Sequence, residues 1–186
     1  MNDSTHQSGR QPAGPAAVVW FTGLSGAGKS TIAVKVADEL RRRGLDVEHL
    51  DGDRIREILP QTGFTREARD EHVRRVGFLA SMLARHGIVV VASLISPYRE
   101  ARAFVRSLCP RFIEVYVATS LAECERRDAK GLYARARRGE VRNFTGIDDP
   151  YEPPEQPELT IDAAKVSVEE ACAIVLRRLD KEPMPA

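Results

Sequence analysis

Apolar and polar positions along this chain change period repeatedly, from strand to helix and back. Val18–Thr22 (VVWFT) is a short apolar run rich in strand formers, and the polar, glycine-rich GLSGAGKS follows it at once. Ile32, Val36 and Leu40 then recur at helical spacing, and Gly44 stands where a helix C-terminal stop belongs. Val47–Leu50 predicts a second strand, taken as the neighbour of the first, that ends in the acidic turn LDGD. Val73, Val76, Ala80 and Leu83 share one face of a helix expected from Thr65 to about His86, with Gly87 at its end. Ile88–Leu94 (IVVVASL) is continuously apolar, the pattern of a strand buried on both faces. Tyr98–Leu108 reads as a helix and Phe112–Val117 as a fourth strand.

Ser120 with Glu123, and Ser167 with Glu170, each have the spacing of a capping box that opens a helix. The last helix carries Val168, Ala171, Cys172, Val175, Leu176 and Leu179 on one side. Between these two helices lies a charged stretch, Asp128–Pro157, too polar to be expected in the core. Alternation of this kind predicts an α/β fold, a parallel β-sheet flanked by helices on both faces. A single domain over residues 17–180 follows, between a polar tail over 1–16 and a short one over 181–186.

Gly23, Leu24, Ser25, Gly26, Ala27, Gly28, Lys29 and Ser30 match the pattern G-x-x-x-x-G-K-[ST] in full, and Thr31 follows. Glycines let the backbone wrap an anion so that successive N–H groups point at phosphate oxygens, and a helix N-terminus adds its positive dipole end. Lys29 is then expected on the β- and γ-phosphates of ATP and the Ser30 hydroxyl on Mg²⁺. The buried strand IVVVASL ends without an acid, and no Asn-Lys-x-Asp guanine signature occurs. The acids stand instead at the end of the second strand, on the rim that carries the cradle. Asp53 is favoured as the base or acceptor-orienting acid and Asp51 as metal support.

Arg54, Arg56, Arg69, Arg74 and Arg75 cluster after these acids, and Phe64 lies in the turn before the helix carrying Arg69. A ring to stack on and guanidinium forks suit a nucleotide-like anion, whereas Arg74 and Arg75 suit equally a solvated helix face. A second aromatic, Phe144, falls within the polar stretch, where it is read as an exposed loop ring.

With these residues in place the chain resembles the adenylyl-sulfate kinases, from about Val18 to Asp162. GLSGAGKST, LDGDRIR, GFTREARDEHVRR, ISPYR, RDAKGLYARARRGE and FTGIDDPYEPP carry the likeness, in that order. The resemblance implies a P-loop kinase fold and transfer of the ATP γ-phosphoryl group to the 3′-hydroxyl of adenosine 5′-phosphosulfate. It implies Arg56, Arg69 and Lys130 as contacts to the phosphosulfate or its ribose, and Phe64 and Phe144 as rings holding the acceptor adenine. Ile95 and Ser96 would border the same pocket, and a mobile lid, about residues 128–157, would close over both nucleotides. Ser96 corresponds to a serine that the family has been proposed to phosphorylate. A direct in-line transfer needs no relay and no His is placed to activate it, so a positioning role is expected.

The chain departs from the family pattern at Arg54 and at His72, where relatives often carry asparagine. An imidazole donates or accepts according to its tautomer, so His72 is expected to contact the acceptor in a way that varies with pH. The family also implies a homodimer acting in sulfate assimilation.

Composition narrows the partners. The 186 residues carry a formal net charge of +1, which gives no global field for nucleic acid, and no apolar run is long enough to span a membrane. Cys109, Cys124 and Cys172 lack metal or redox spacing and suit a reducing cytoplasm. Two alternatives stay open: a kinase for another small alcohol, and a nucleotide-binding regulatory module without turnover.

Overall fold

All five residues of β1 (Val18–Thr22) are buried, because each face of the strand meets its own layer of helices. Successive strand residues point to opposite faces. Val19 and Phe21 join the core beneath α1 (Lys29–Arg42) and α7 (Val168–Asp180), while Val18 and Trp20 join the core beneath α3 (Arg66–Arg85) and α4 (Arg99–Leu108). β3 (Val89–Ser93) repeats the pattern, with Val89 and Val91 on one side and Val90 and Ala92 on the other. This computed structural model describes residues 16–59 and 63–181. Of the two expected tails, 1–15 and 182–186 lie outside the described residues. Ala16, expected in the first tail, is buried and donates its N–H to the Ala84 carbonyl at 2.9 Å, so the fold begins at least one residue earlier.

β2 (Val47–Asp51), β4 (Phe112–Val117) and β5 (Leu159–Ile161) complete a five-stranded sheet in the order β2-β3-β1-β4-β5, every pairing parallel. β2 is not the expected neighbour of β1, because β3 pairs with both and lies between them. A parallel crossover must span the sheet, so the chain order of strands does not fix their lateral order. The register Asp51↔Ser93↔Phe21 nonetheless brings the ends of all three strands to one rim.

Local chemistry sets the helix limits. Thr65 accepts a hydrogen bond from the Ala68 N–H to open α3, and Ser167 with Glu170 makes a complete capping box for α7. Ser120 accepts from the Glu123 N–H to open α5 (Leu121–Arg127), but the reciprocal half of that expected box is missing. The Glu123 carboxylate is bonded instead to Arg126 and Arg127, which hold it well down, at about 2.

Three elements escaped the sequence pattern: β5, α2 (Gly52–Ile58) and α6 (Leu132–Arg137), each too short to show a period. The polar stretch holding α6 is also not excluded from the core, for Tyr133, Ala136, Phe144 and Thr145 are all buried. The stretch expected as one lid divides in two. Its later part is fastened to the body: Tyr98 donates to Asp149 at 2.8 Å, Arg102 to the Glu152 carbonyl at 2.7 Å, and Tyr151 meets Thr22 at 2.9 Å. Its earlier part, around Lys130 to Arg138, is mostly exposed.

Candidate active site

The glycine-rich segment turns from β1 into α1 as its sequence requires. Gly23 has φ +145°, and a Cβ there would stand 2.5 Å from the Val117 carbonyl oxygen, so no side chain fits the turn. Gly28, also left-handed, caps α1 directly before Lys29. Lys29 is buried, and its ammonium donates to the Leu24 carbonyl at 2.7 Å, back across the loop. Burial pushes it down to about 8 from an ordinary value near 10.5, only partly opposed by the charge of Asp53. A cation so desolvated gains from any phosphate placed beside it.

Ser30 begins the link to the acids. Its hydroxyl donates to the Asp51 carboxylate at 2.8 Å, and Ser93, at the end of β3, donates to the same oxygen at 2.9 Å. The other Asp51 oxygen accepts the backbone N–H groups of Asp53 and Arg54 and so caps α2. Burial alone would raise this carboxyl, yet the four hydrogen bonds outweigh it and hold it below the usual range. Asp51 therefore stays charged, and the Ser30 proton points at it, leaving the hydroxyl lone pairs for another partner. Hard oxygen donors of this kind, few in number and beside a phosphate cradle, fit Mg²⁺. Among the described residues no cluster of three or more His, Cys, Asp or Glu offers an all-protein metal cage.

A cavity of about 380 Å³ extends from this point. Lined by Ser25, Gly26, Gly28, Lys29, Ser30 and Thr31, it continues past Asp51 and Asp53 to Arg56, Phe64, Arg69, His72, Ile95, Ser96, Lys130 and Phe144. Of the expected site residues, only Gly23, Leu24 and Ala27 are outside its lining; they shape the turn, and Leu24 borders a second, more open cavity of about 470 Å³ beside Tyr116 and Ile147.

Asp53, in the first turn of α2, is exposed and paired with Lys130 at 2.5 Å. Arg56 and Arg69 both pack on Phe64, their guanidinium carbons 5.0 and 5.5 Å from the ring centroid. Burial lowers both arginines, and the charge of Arg69 lowers Arg56 further, so the pair favours an incoming anion. Arg69 is held in turn by the carbonyls of Phe64 and Asn143 and by Asp149, 3.7 Å away. Arg74 and Arg75 face outwards: Arg74 pairs with Glu100 and Arg75 with Glu71.

Two residues differ from their expected settings. Phe144 is no exposed loop ring; it is 7% exposed, with its centroid 4.9 Å from that of Tyr133, edge to face. His72 is not poised to change charge near neutrality, since burial and then the Arg56 charge push it down to about 4. Its Nε2 meets the Gly52 carbonyl at 3.1 Å; a carbonyl only accepts, so Nε2 carries the hydrogen and Nδ1 is a bare acceptor. That Nδ1 and the hydroxyl of Thr145, another buried residue at the cavity wall, have no hydrogen-bond partner among the described residues.

Ser96 is almost fully buried with φ +39°. Its hydroxyl donates to Thr22 at 2.9 Å and accepts from the Trp20 indole at 3.1 Å, while its carbonyl accepts from Arg102 at 2.6 Å. Among the described residues, this hydroxyl bonds to Thr22 and Trp20 and to no acidic or imidazole side chain.

Sequence reasoning missed Ser93, Thr145, Tyr133 and Asp149. Ser93 was legible only as the polar end of an apolar strand, and the other three stood inside motifs without any spacing that singled them out.

A sequence model described as adenylylsulphate kinase matches residues 15–162. The chain is 55% identical over 162 residues to an adenylyl-sulfate kinase of Synechococcus sp. (strain JA-2-3B'a(2-13)), covering 87% of this chain and 93% of that protein. It is 51% identical over 165 residues to an adenylyl-sulfate kinase of Halothermothrix orenii, covering 88% and 89%. Among solved structures, the Mycobacterium tuberculosis APS kinase CysC in complex with AMPPNP and APS superposes with a TM-score of 0.87 at 41% identity, covering 90% of this chain and 99% of that one.

Proposed function

The chain belongs to the adenylylsulphate kinase family and transfers the γ-phosphoryl group of ATP to adenosine 5′-phosphosulfate, and from that premise we propose how its own residues divide the work. The donor lies along the cradle, with Lys29 on the β- and γ-phosphates. Ser30 and Asp51 would hold Mg²⁺, which when bound neutralises phosphate charge. The acceptor enters from the arginine side. Arg56 and Arg69 take its phosphosulfate, and Phe64 and Phe144 its adenine. Ile95 borders the pocket, Ser96 positions it, and the bare Nδ1 of His72 accepts a hydrogen bond from the acceptor.

Asp53 receives the proton of the 3′-hydroxyl as that oxygen bonds to the γ-phosphorus and the bond to the β-phosphate oxygen breaks. Its exposed ion pair with Lys130 is weak in water, so an arriving acceptor can exchange it and draw Lys130 onto the anion. The part of the 128–157 stretch around Lys130 closes last and excludes water, a competing acceptor.

The observation that carries the assignment is that Lys29 and Asp53 line one cavity with the paired arginines. With MgATP, ADP release is expected with adenosine 5′-phosphosulfate and not with adenosine or sugars. Asp53→Asn should lower kcat about 10²-fold or more while ATP binding is kept. Full turnover by that variant would remove Asp53 from the base role.

The working form is a homodimer in the cytoplasm that serves sulfate assimilation. Phe78, Leu79 and Met82 form an exposed apolar patch on α3, which suits a subunit contact. Cys109, Cys124 and Cys172 are all free and buried, in keeping with a reducing compartment. No helix among the described residues is long and apolar enough to cross a membrane. Sedimentation of the parent as a dimer and of Phe78→Glu as a monomer would support the contact; a monomeric parent would remove it.

A further inference from the structure

Tyr133 is absent from the cavity wall yet touches both halves of the site from behind. Its phenol donates to the Ser25 carbonyl at 2.9 Å, within the phosphate cradle. Its ring stands edge-on to Phe144, 4.9 Å between centroids at 79°. Ser25, Gly26 and Phe144 all line the cavity, and Tyr133 itself is only 3% exposed.

We propose that Tyr133 is a positioning residue that fastens the acceptor-side ring of Phe144 to the phosphate cradle, so that filling one half of the site strengthens binding in the other. The physical reason lies in one peptide plane. In a trans peptide the carbonyl of Ser25 and the N–H of Gly26 point in opposite directions. With the carbonyl held by Tyr133, outside the cavity, the Gly26 N–H is turned away from Tyr133, the orientation a phosphate oxygen requires. A phosphate that secures this plane also secures the phenol on it, and through the phenol the edge against which Phe144 packs. An acceptor base stacked on Phe144 loads the same chain of contacts from the other end, as reciprocal coupling requires.

This rests on the reading of Phe144 as an acceptor ring, and Tyr133→Phe tests it, since the substitution removes one oxygen and keeps the ring. Binding of adenosine 5′-phosphosulfate is titrated with and without a non-hydrolysable ATP analogue. For the parent the analogue should tighten acceptor binding about fivefold or more, and for Tyr133→Phe that factor should fall towards one. At saturating ATP the variant's acceptor KM should rise by a similar factor, about fivefold, with kcat changed less than about twofold. Thermal unfolding by circular dichroism checks that the variant is folded. A parent factor of one, or a variant that keeps the parent factor, overturns the coupling while leaving the acceptor assignment intact. A parent that binds no adenosine 5′-phosphosulfate in either state overturns both.

Discussion

The halves of the cavity proposed for donor and acceptor are built in opposite ways. Ser25, Gly26 and Gly28 to Thr31 line the proposed donor half from one continuous segment, and most of what it would offer a phosphate is backbone N–H, with Lys29 and Ser30 as its working side chains. The acceptor half is assembled from side chains on α2, on α3, after β3 and in the stretch that follows α5. A backbone site survives most side-chain changes but not the loss of its one lysine. A side-chain site can be altered piece by piece.

The sharpest break should come at Lys29. Lys29→Ala is expected to lower kcat/KM roughly 10²–10³-fold, by analogy with removal of one preorganised donor to a developing charge, with circular dichroism unchanged. A loss under tenfold would mean that the backbone alone holds the phosphates.

Phe144 and Phe64 then separate packing from recognition within the acceptor half. Phe144 is buried in the core cluster, so Phe144→Ala should cost about 3 kcal/mol of stability as well as acceptor affinity. Phe64 is 57% exposed, and Phe64→Ala should change stability by less than about 1 kcal/mol while raising the acceptor KM. Urea unfolding beside steady-state kinetics reads both. Equal stability losses would erase the distinction.

Titration distinguishes the halves again. His72 is lowered to about 4 from 6.5, so the unfolded chain binds its proton first. The stability it contributes is complete above 6.5 and is lost as pH falls through 4, a drop on the order of 2–3 kcal/mol that His72→Asn should remove. Lys29 is likewise lowered, to about 8, but phosphate favours its charged form, so ATP affinity should weaken as pH rises through 8 with proton uptake on binding. Calorimetry in buffers of different ionisation enthalpy measures that uptake.

The smallest effect belongs to Lys130. Its pair with Asp53 is exposed, so Lys130→Ala should leave stability within about 0.5 kcal/mol and raise only the acceptor KM. A large loss of stability would show that the earlier part of the 128–157 stretch is a structural brace.

Much of this was legible beforehand, for reasons that differ by region. The cradle was readable because its chemistry needs particular residues at adjacent positions, the four longer strands because they are short runs of strand-forming apolar residues, and the main helices because burial of one face imposes a period. Asp51 and Asp53 were readable as acids at a strand end. β5 and α6 are three and six residues long, too short for a period to emerge. Phe144 was misread because a lone ring that enters the core from a polar stretch leaves no pattern at all.

The sequence by itself determined the glycine-rich cradle motif and the parallel α/β architecture, since each depends on local spacing or local burial; the residues proposed to meet an acceptor came from the likeness to the adenylyl-sulfate kinases. Only the tertiary structure decided that β3 separates the acids' strand from the cradle's, that Ser30 and Ser93 bond Asp51 across that gap, that His72 is held neutral, and that Tyr133 stands behind both halves. These rest on contacts between residues distant in the chain, and on burial, which no local pattern encodes.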